Sequence, residues 1–163
     1  MVLLSHNHYD HLEEHTLRAL AQTPAHFIVT LGLGAYLKPL GVADITELDS
    51  WQHAQRGDLR ITLVPPFQTS GRSLSDGARS FWGGFVLQHG GETIYYSGDS
   101  AYGPHFAEIG QRFPDLGIAF VENVQYDRRW PDNHMLPEHT AQAAAAVPPR
   151  RAMPVHWRHH RDR

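Results

Sequence analysis

The chain has 163 residues, 41% of them hydrophobic and 19% charged, with a formal charge of −3. That length suits one domain with a real core rather than two, and the acidic balance gives no electrostatic case for nucleic acid. Cysteine is absent, which excludes disulfides and thiolate ligands. No apolar run is long enough to cross a bilayer and no charged-then-apolar leader opens the chain, so a cytoplasmic location is the expectation.

Residues 1–4 read as the end of a buried strand, and they run into Ser5-His6-Asn7-His8-Tyr9-Asp10-His11. In extended backbone, residues two apart face the same side, so His6 and His8 can point at one ion. Asp10 and His11 fall where the chain turns and can reach a neighbouring ion. Imidazole nitrogen with a carboxylate suits zinc ahead of iron or manganese. A lone histidine is ordinarily a surface or hydrogen-bonded residue, but H-x-H-x-D-H is a specific pattern of clustered ligands.

Leu12, Leu17 and Leu20 lie near helical spacing, with acidic residues in the first turn where the dipole favours them, and Pro24 ends that helix. Residues 25–31 form a strand by their β-branched and aromatic content. Gly32-Leu33-Gly34 leads to a short helix over 35–40, stopped by Gly41. Those glycines lack the third glycine and the acidic residue of a dinucleotide fingerprint. Residues 45–48 and 59–64 read as strands, with Trp51 between them as core or pocket wall. A hairpin follows, its strands at 81–89 and 92–97 joined by Gly90-Gly91. It runs into Gly98-Asp99, where the aspartate is either a turn residue or a ligand. Residues 104–113 suit a helix and 116–122 a buried strand. Pro137 opens a last helix continued by 141–147.

The motif Ser-His-Asn-His-Tyr-Asp-His-Leu resembles the metallo-β-lactamase superfamily, in particular its N-acyl-phosphatidylethanolamine phospholipase D-like zinc hydrolases. Gly98-Asp99-Ser100-Ala101-Tyr102 is similar to that branch's Gly-Asp-Thr-Gly-Tyr. His134-Met135-Leu136-Pro137-Glu138 is similar to its His-x-x-Pro-Glu, and His156-Trp157 to its strand-ending His-Trp. The resemblance covers Leu4 to Trp157. It implies an α/β fold of the αββα sandwich type, as a single partial domain over residues 1–163 with the N-terminal strands missing. A fragment, a mis-started reading frame or a reduced domain would each give that picture.

The resemblance also implies the site. His6 and His8 would hold one zinc, Asp10, His11 and His156 a second, and Asp99 would bridge them. The position of a further histidine ligand, aligned on Ser70-Gly71-Arg72, holds Gln68, a poorer donor that weakens the first ion's site. Asp10 would also orient a dizinc-activated hydroxide. His134 would contact substrate or act as an acid, against a plain loop histidine. Arg72 would pair with a phosphate, against a surface arginine. Family members continue after the strand at 116–122 with a small apolar stretch, so Glu122 is either an added polar group in the pocket or a sign of drift. The implied activity is a phosphodiesterase of phospholipase D type, acting on a small or phospholipid-like substrate with peripheral membrane contact possible. A lactonase or ester hydrolase of the same superfamily and a non-catalytic remnant with impaired metal binding are the alternatives.

Overall fold

A computed structural model describes residues 1–8, 11–67, 82–123 and 134–156. The expectations for Asp10, Gln68, Arg72 and Trp157 fall outside those residues. In chain order the elements are β1 (Val2–Leu4), α1 (Glu14–Ala21), β2 (Phe27–Thr30), α2 (Gly34–Leu37), β3 (Ile45–Leu48), β4 (His53–Arg56) and β5 (Leu59–Val64). They continue with β6 (Gly84–His89), β7 (Glu92–Tyr96), α3 (His105–Arg112), β8 (Ile118–Glu122), α4 (Pro137–Ala146) and β9 (Arg151–Val155). Among the described residues, no helix is long and apolar enough to cross a membrane.

Two sheets form. β1, β2 and β3 make a parallel three-stranded sheet in that order. β4 to β9 make a six-stranded sheet in sequence order, antiparallel through β7 and parallel from β7 to β9. Strand periodicity sorts the side chains into layers. Ile28 of β2 and Leu48 of β3 meet Ile61, Leu63 and Phe85 of β5 and β6, the seam between the sheets. The neighbours Phe27 and Val29 point the other way, onto Leu17 of α1 and Leu37 of α2. Likewise Val64, Val86, Tyr95, Ala119 and Val121 turn outward onto Phe106 and Ile109 of α3 and Ala143 of α4. The order of layers is therefore helix, sheet, sheet, helix, as the αββα expectation required. Trp51 packs against this outer cluster, with the Arg112 guanidinium 4.0 Å over its ring.

Most sequence-based elements form within a residue or two of their expected ends. Two elements depart: β6 begins at Gly84, three residues after its expected start, and β4, His53–Arg56, is announced by no apolar pattern. Its residues are exposed apart from half-buried Ala54, so it is an edge strand specified by its pairing with β5 across a turn at Gly57.

Several strand ends converge at one rim. β1 leads into Ser5-His6, β7 into Ser97-Gly98-Asp99 and β9 into His156, while β8 ends at Glu122. Gly98 makes that meeting possible. Its φ is +62°, and a Cβ there would stand 2.7 Å from the Gly83 carbonyl oxygen and 3.2 Å from the Ser5 side chain. The Gly83 N–H in turn donates to the Ser5 carbonyl at 3.1 Å, tying the histidine-bearing loop to the six-stranded sheet.

Candidate metal centre

Asp99 is the middle of the site. Its residue exposure is 3%, and it is placed by the left-handed turn at Gly98. Oδ2 faces His11 Nε2 at 3.2 Å and His6 Nε2 at 3.5 Å, while Oδ1 faces His156 Nδ1 at 3.7 Å. His6, His8 and Asp99 each offer a donor atom, and these lie within 4.8 Å of one another. Asp99, Glu122, His134 and His156 make a second such group. The same carboxylate belongs to both.

The charge balance of this cluster is unusual for a protein interior. Burial is the largest influence on His6 and lowers its pKa to about 4, against a smaller upward pull from Asp99, so the ring is neutral at neutral pH. Burial alone would push Asp99 up, but the facing imidazoles of His11 and His6 hold it well below the usual carboxylate range. An ionised carboxylate thus stands in the interior against a neutral His6 ring. Neither Asp99 Oδ2 nor His6 Nε2 has a well-formed hydrogen bond among the described residues. Leaving such groups unsatisfied is costly, and a divalent cation among carboxylate and imidazole donors resolves it. The residues fit a metal.

The surroundings orient these donors. Ser5 Oγ is 3.0 Å from His6 Nδ1, and a bond there leaves Nε2 to point at Asp99, the usual arrangement behind a ligating imidazole. Trp82, 5% exposed, lies against both motif histidines, with ring centroids 5.1 Å from His6 and 4.7 Å from His8. His156 sits at φ +64°, a conformation that costs a non-glycine residue about 1–2 kcal/mol. Beside it, His134 Nδ1 stands 2.5 Å from Glu122 Oε1. Burial would lower the His134 pKa, but the hydrogen bond and charge of Glu122 raise it above the ordinary value.

Of the residues singled out in the sequence, His6, His8, His11, Asp99, His134 and His156 come together at this rim. Asp10, Arg72 and Gln68 lie outside the described residues. His11, expected on the second ion, faces the same Asp99 oxygen as His6. Glu122 belongs to the site as a buried polar group; its signal was a charged residue closing an otherwise apolar strand. Trp82 was missed, since an aromatic before two glycines reads as ordinary strand sequence.

Comparison with known proteins places this arrangement. The profile of the β-lactamase superfamily domain matches residues 1–157. An uncharacterised protein of Mycobacterium tuberculosis is 36% identical over 162 residues, covering 96% of this chain and 43% of that protein. The mitochondrial N-acyl-phosphatidylethanolamine-hydrolyzing phospholipase D of Saccharomyces cerevisiae is 34% identical over 97 residues, 56% of this chain and 20% of that protein. The chain therefore spans less than half the length of these curated relatives. Among solved structures, Igni18, a metallo hydrolase from the hyperthermophilic archaeon Ignicoccus hospitalis, superimposes with a TM-score of 0.77 at 18% identity, over 96% of this chain and 64% of that one. With its profile match, its four-layered sandwich and its histidine–aspartate rim, the chain belongs to the β-lactamase superfamily and has the metallo-β-lactamase fold.

Proposed function

We propose that the rim holds two divalent metal ions, zinc by preference, and hydrolyses a phosphodiester of phospholipid-like type. The observation that carries this reading is Asp99, one buried carboxylate shared by two groups of donor atoms. Nitrogen donors from four histidines with carboxylate oxygen favour zinc over magnesium or calcium. Such an ion pair supplies Lewis acidity toward a phosphoryl or carbonyl oxygen and brings the pKa of a water near neutrality.

In this reading His6 and His8 hold one ion, His11 and His156 serve the other with Asp10, and Asp99 spans both. Asp10 additionally orients the attacking water. His134, with its raised pKa, contacts the substrate or donates a proton to the leaving group. Arg72 pairs with the phosphate through its planar fork. The partial likeness to the yeast phospholipase D supports a phosphodiester over other esters.

The test is hydrolysis by zinc-loaded protein of bis(p-nitrophenyl) phosphate, a phosphatidylethanolamine analogue and a simple lactone, side by side. Turnover of the two phosphodiesters, abolished by chelation and restored by zinc, is expected. Turnover of the lactone alone would replace this reading with that of an ester hydrolase, and turnover of none by metal-loaded protein would leave a metal-binding remnant.

A further inference from the structure

Glu122 ends β8 with 1% of its surface exposed, and its backbone and side chain are both pinned. Its N–H donates to Ser97 Oγ at 3.0 Å, and its carbonyl oxygen accepts the Thr140 hydroxyl at 2.8 Å. Oε2 accepts the Met135 N–H at 3.1 Å, and Oε1 meets His134 Nδ1 at 2.5 Å. The carboxylate is thus fixed on both oxygens by protein donors.

That geometry decides between two roles. Two donors bound to one ion at about 2.1 Å in tetrahedral geometry stand roughly 3.4 Å apart. The Glu122–His134 separation is much shorter, below even the roughly 2.7–2.9 Å of a charge-assisted N–H···O bond, and so fits a direct hydrogen bond rather than two ligands of one ion. Glu122 and His134 Nδ1 are therefore a bonded pair rather than fellow ligands, although both lie in the group around Asp99. His156 Nδ1, by contrast, is 3.7 Å from Asp99 Oδ1, a spacing that leaves room for an ion; it is equally far from Glu122 Oε1, an oxygen already engaged by His134 Nδ1.

We propose that Glu122 is a positioning residue that holds His134 in the Nδ1–H tautomer, so that Nε2 is the nitrogen presented for exchange with substrate. A carboxylate behind an imidazole fixes both the tautomer and the plane of the ring. The half-buried His134 ring, 20% exposed, is clamped at its inner nitrogen and free to work at its outer one. The catalytic consequence rests on the hydrolase reading above; the tautomer does not.

Two variants test it. In Glu122→Gln the amide has one acceptor for two N–H donors. With its oxygen on Met135 N–H, its NH2 faces His134 Nδ1 and selects the opposite tautomer. Glu122→Leu removes both acceptors. Long-range 1H–15N spectra of the histidine rings at about pH 9, above the ordinary imidazole range, report the tautomer directly. Wild type should show His134 protonated on Nδ1, and both variants should populate the Nε2–H form. Metal content by elemental analysis should be unchanged in Glu122→Gln, while kcat on bis(p-nitrophenyl) phosphate falls about 10- to 100-fold with KM little altered. Adding Glu122→Gln to His134→Asn should cost nothing further, because the two act as one unit.

Retention of the Nδ1–H tautomer in both variants would overturn the proposal. So would loss of a metal equivalent in Glu122→Gln, which would make Glu122 a ligand. If wild type hydrolyses no phosphodiester, the hydrolase reading fails, and the tautomer and metal measurements still decide this one.

Discussion

Individual histidines differ mainly through their environments. His6 and His105 are both pushed by burial to a pKa of about 4 from an ordinary 6.5. His105 packs on Phe106 and stacks with Phe67, its Nε2 3.1 Å from Ser100 Oγ. The unfolded chain takes up a proton on each ring below pH 6.5, whereas the folded protein resists until about pH 4. Stability therefore falls as pH drops through that window and levels off below it, by on the order of 3 kcal/mol per ring. Urea midpoints of chelator-treated protein should decline between these limits, and His105→Gln should make the decline shallower. An equal slope in wild type and variant would remove His105 from this account. The pairing of His6 with His8 was legible from two-residue spacing in extended chain. The neutrality of His6 was not, because it comes from layers contributed by distant sequence, Trp82 among them.

At the scale of elements, the helices and inner strands announce themselves through apolar periodicity, while contacts between elements rest on small residues that carry no pattern. Gly110 of α3 is one. Alanine in a helix ordinarily gains about 1 kcal/mol over glycine, yet a Cβ at Gly110 would stand 2.4 Å from the Ala146 carbonyl oxygen and 3.1 Å from Val147 Cα. Backbone cannot swing aside as a flexible side chain can, so overpacking wins. Gly110→Ala should destabilise by about 1–3 kcal/mol, read as a lowered Tm. The folded fraction should keep its metal, because the α3–α4 contact lies behind the six-stranded sheet rather than at the rim. A raised Tm would show that α3 stands off α4. The same logic explains why β4 went unread: an exposed edge strand gets its conformation from a partner, not from burial of its own side chains.

For the whole molecule, apolar runs gave the separate strands, and the sandwich was legible only through the resemblance of the ordered motifs to the metallo-β-lactamase superfamily. Periodicity alone did not supply the convergence, which the resemblance implied for His6, Asp99 and His156 but not for Glu122. β1 belongs to one sheet and β7, β8 and β9 to the other, and only their packing brings His6, Asp99, Glu122 and His156 to one rim. Glu122 shows the limit most clearly. Its charge at the end of an apolar strand was visible, but its partnership with His134 depends on how α4 docks against β8.

If Asp99 organises a metal centre, the metal content per folded chain must depend on its carboxylate. Purified protein loaded with zinc, dialysed and measured by elemental analysis should hold about two equivalents. Asp99→Asn, with the shape kept and the shared charge removed, should hold well under one while its circular dichroism stays unchanged. Folded wild type without bound metal, or an Asp99→Asn variant that keeps both equivalents, would contradict the account.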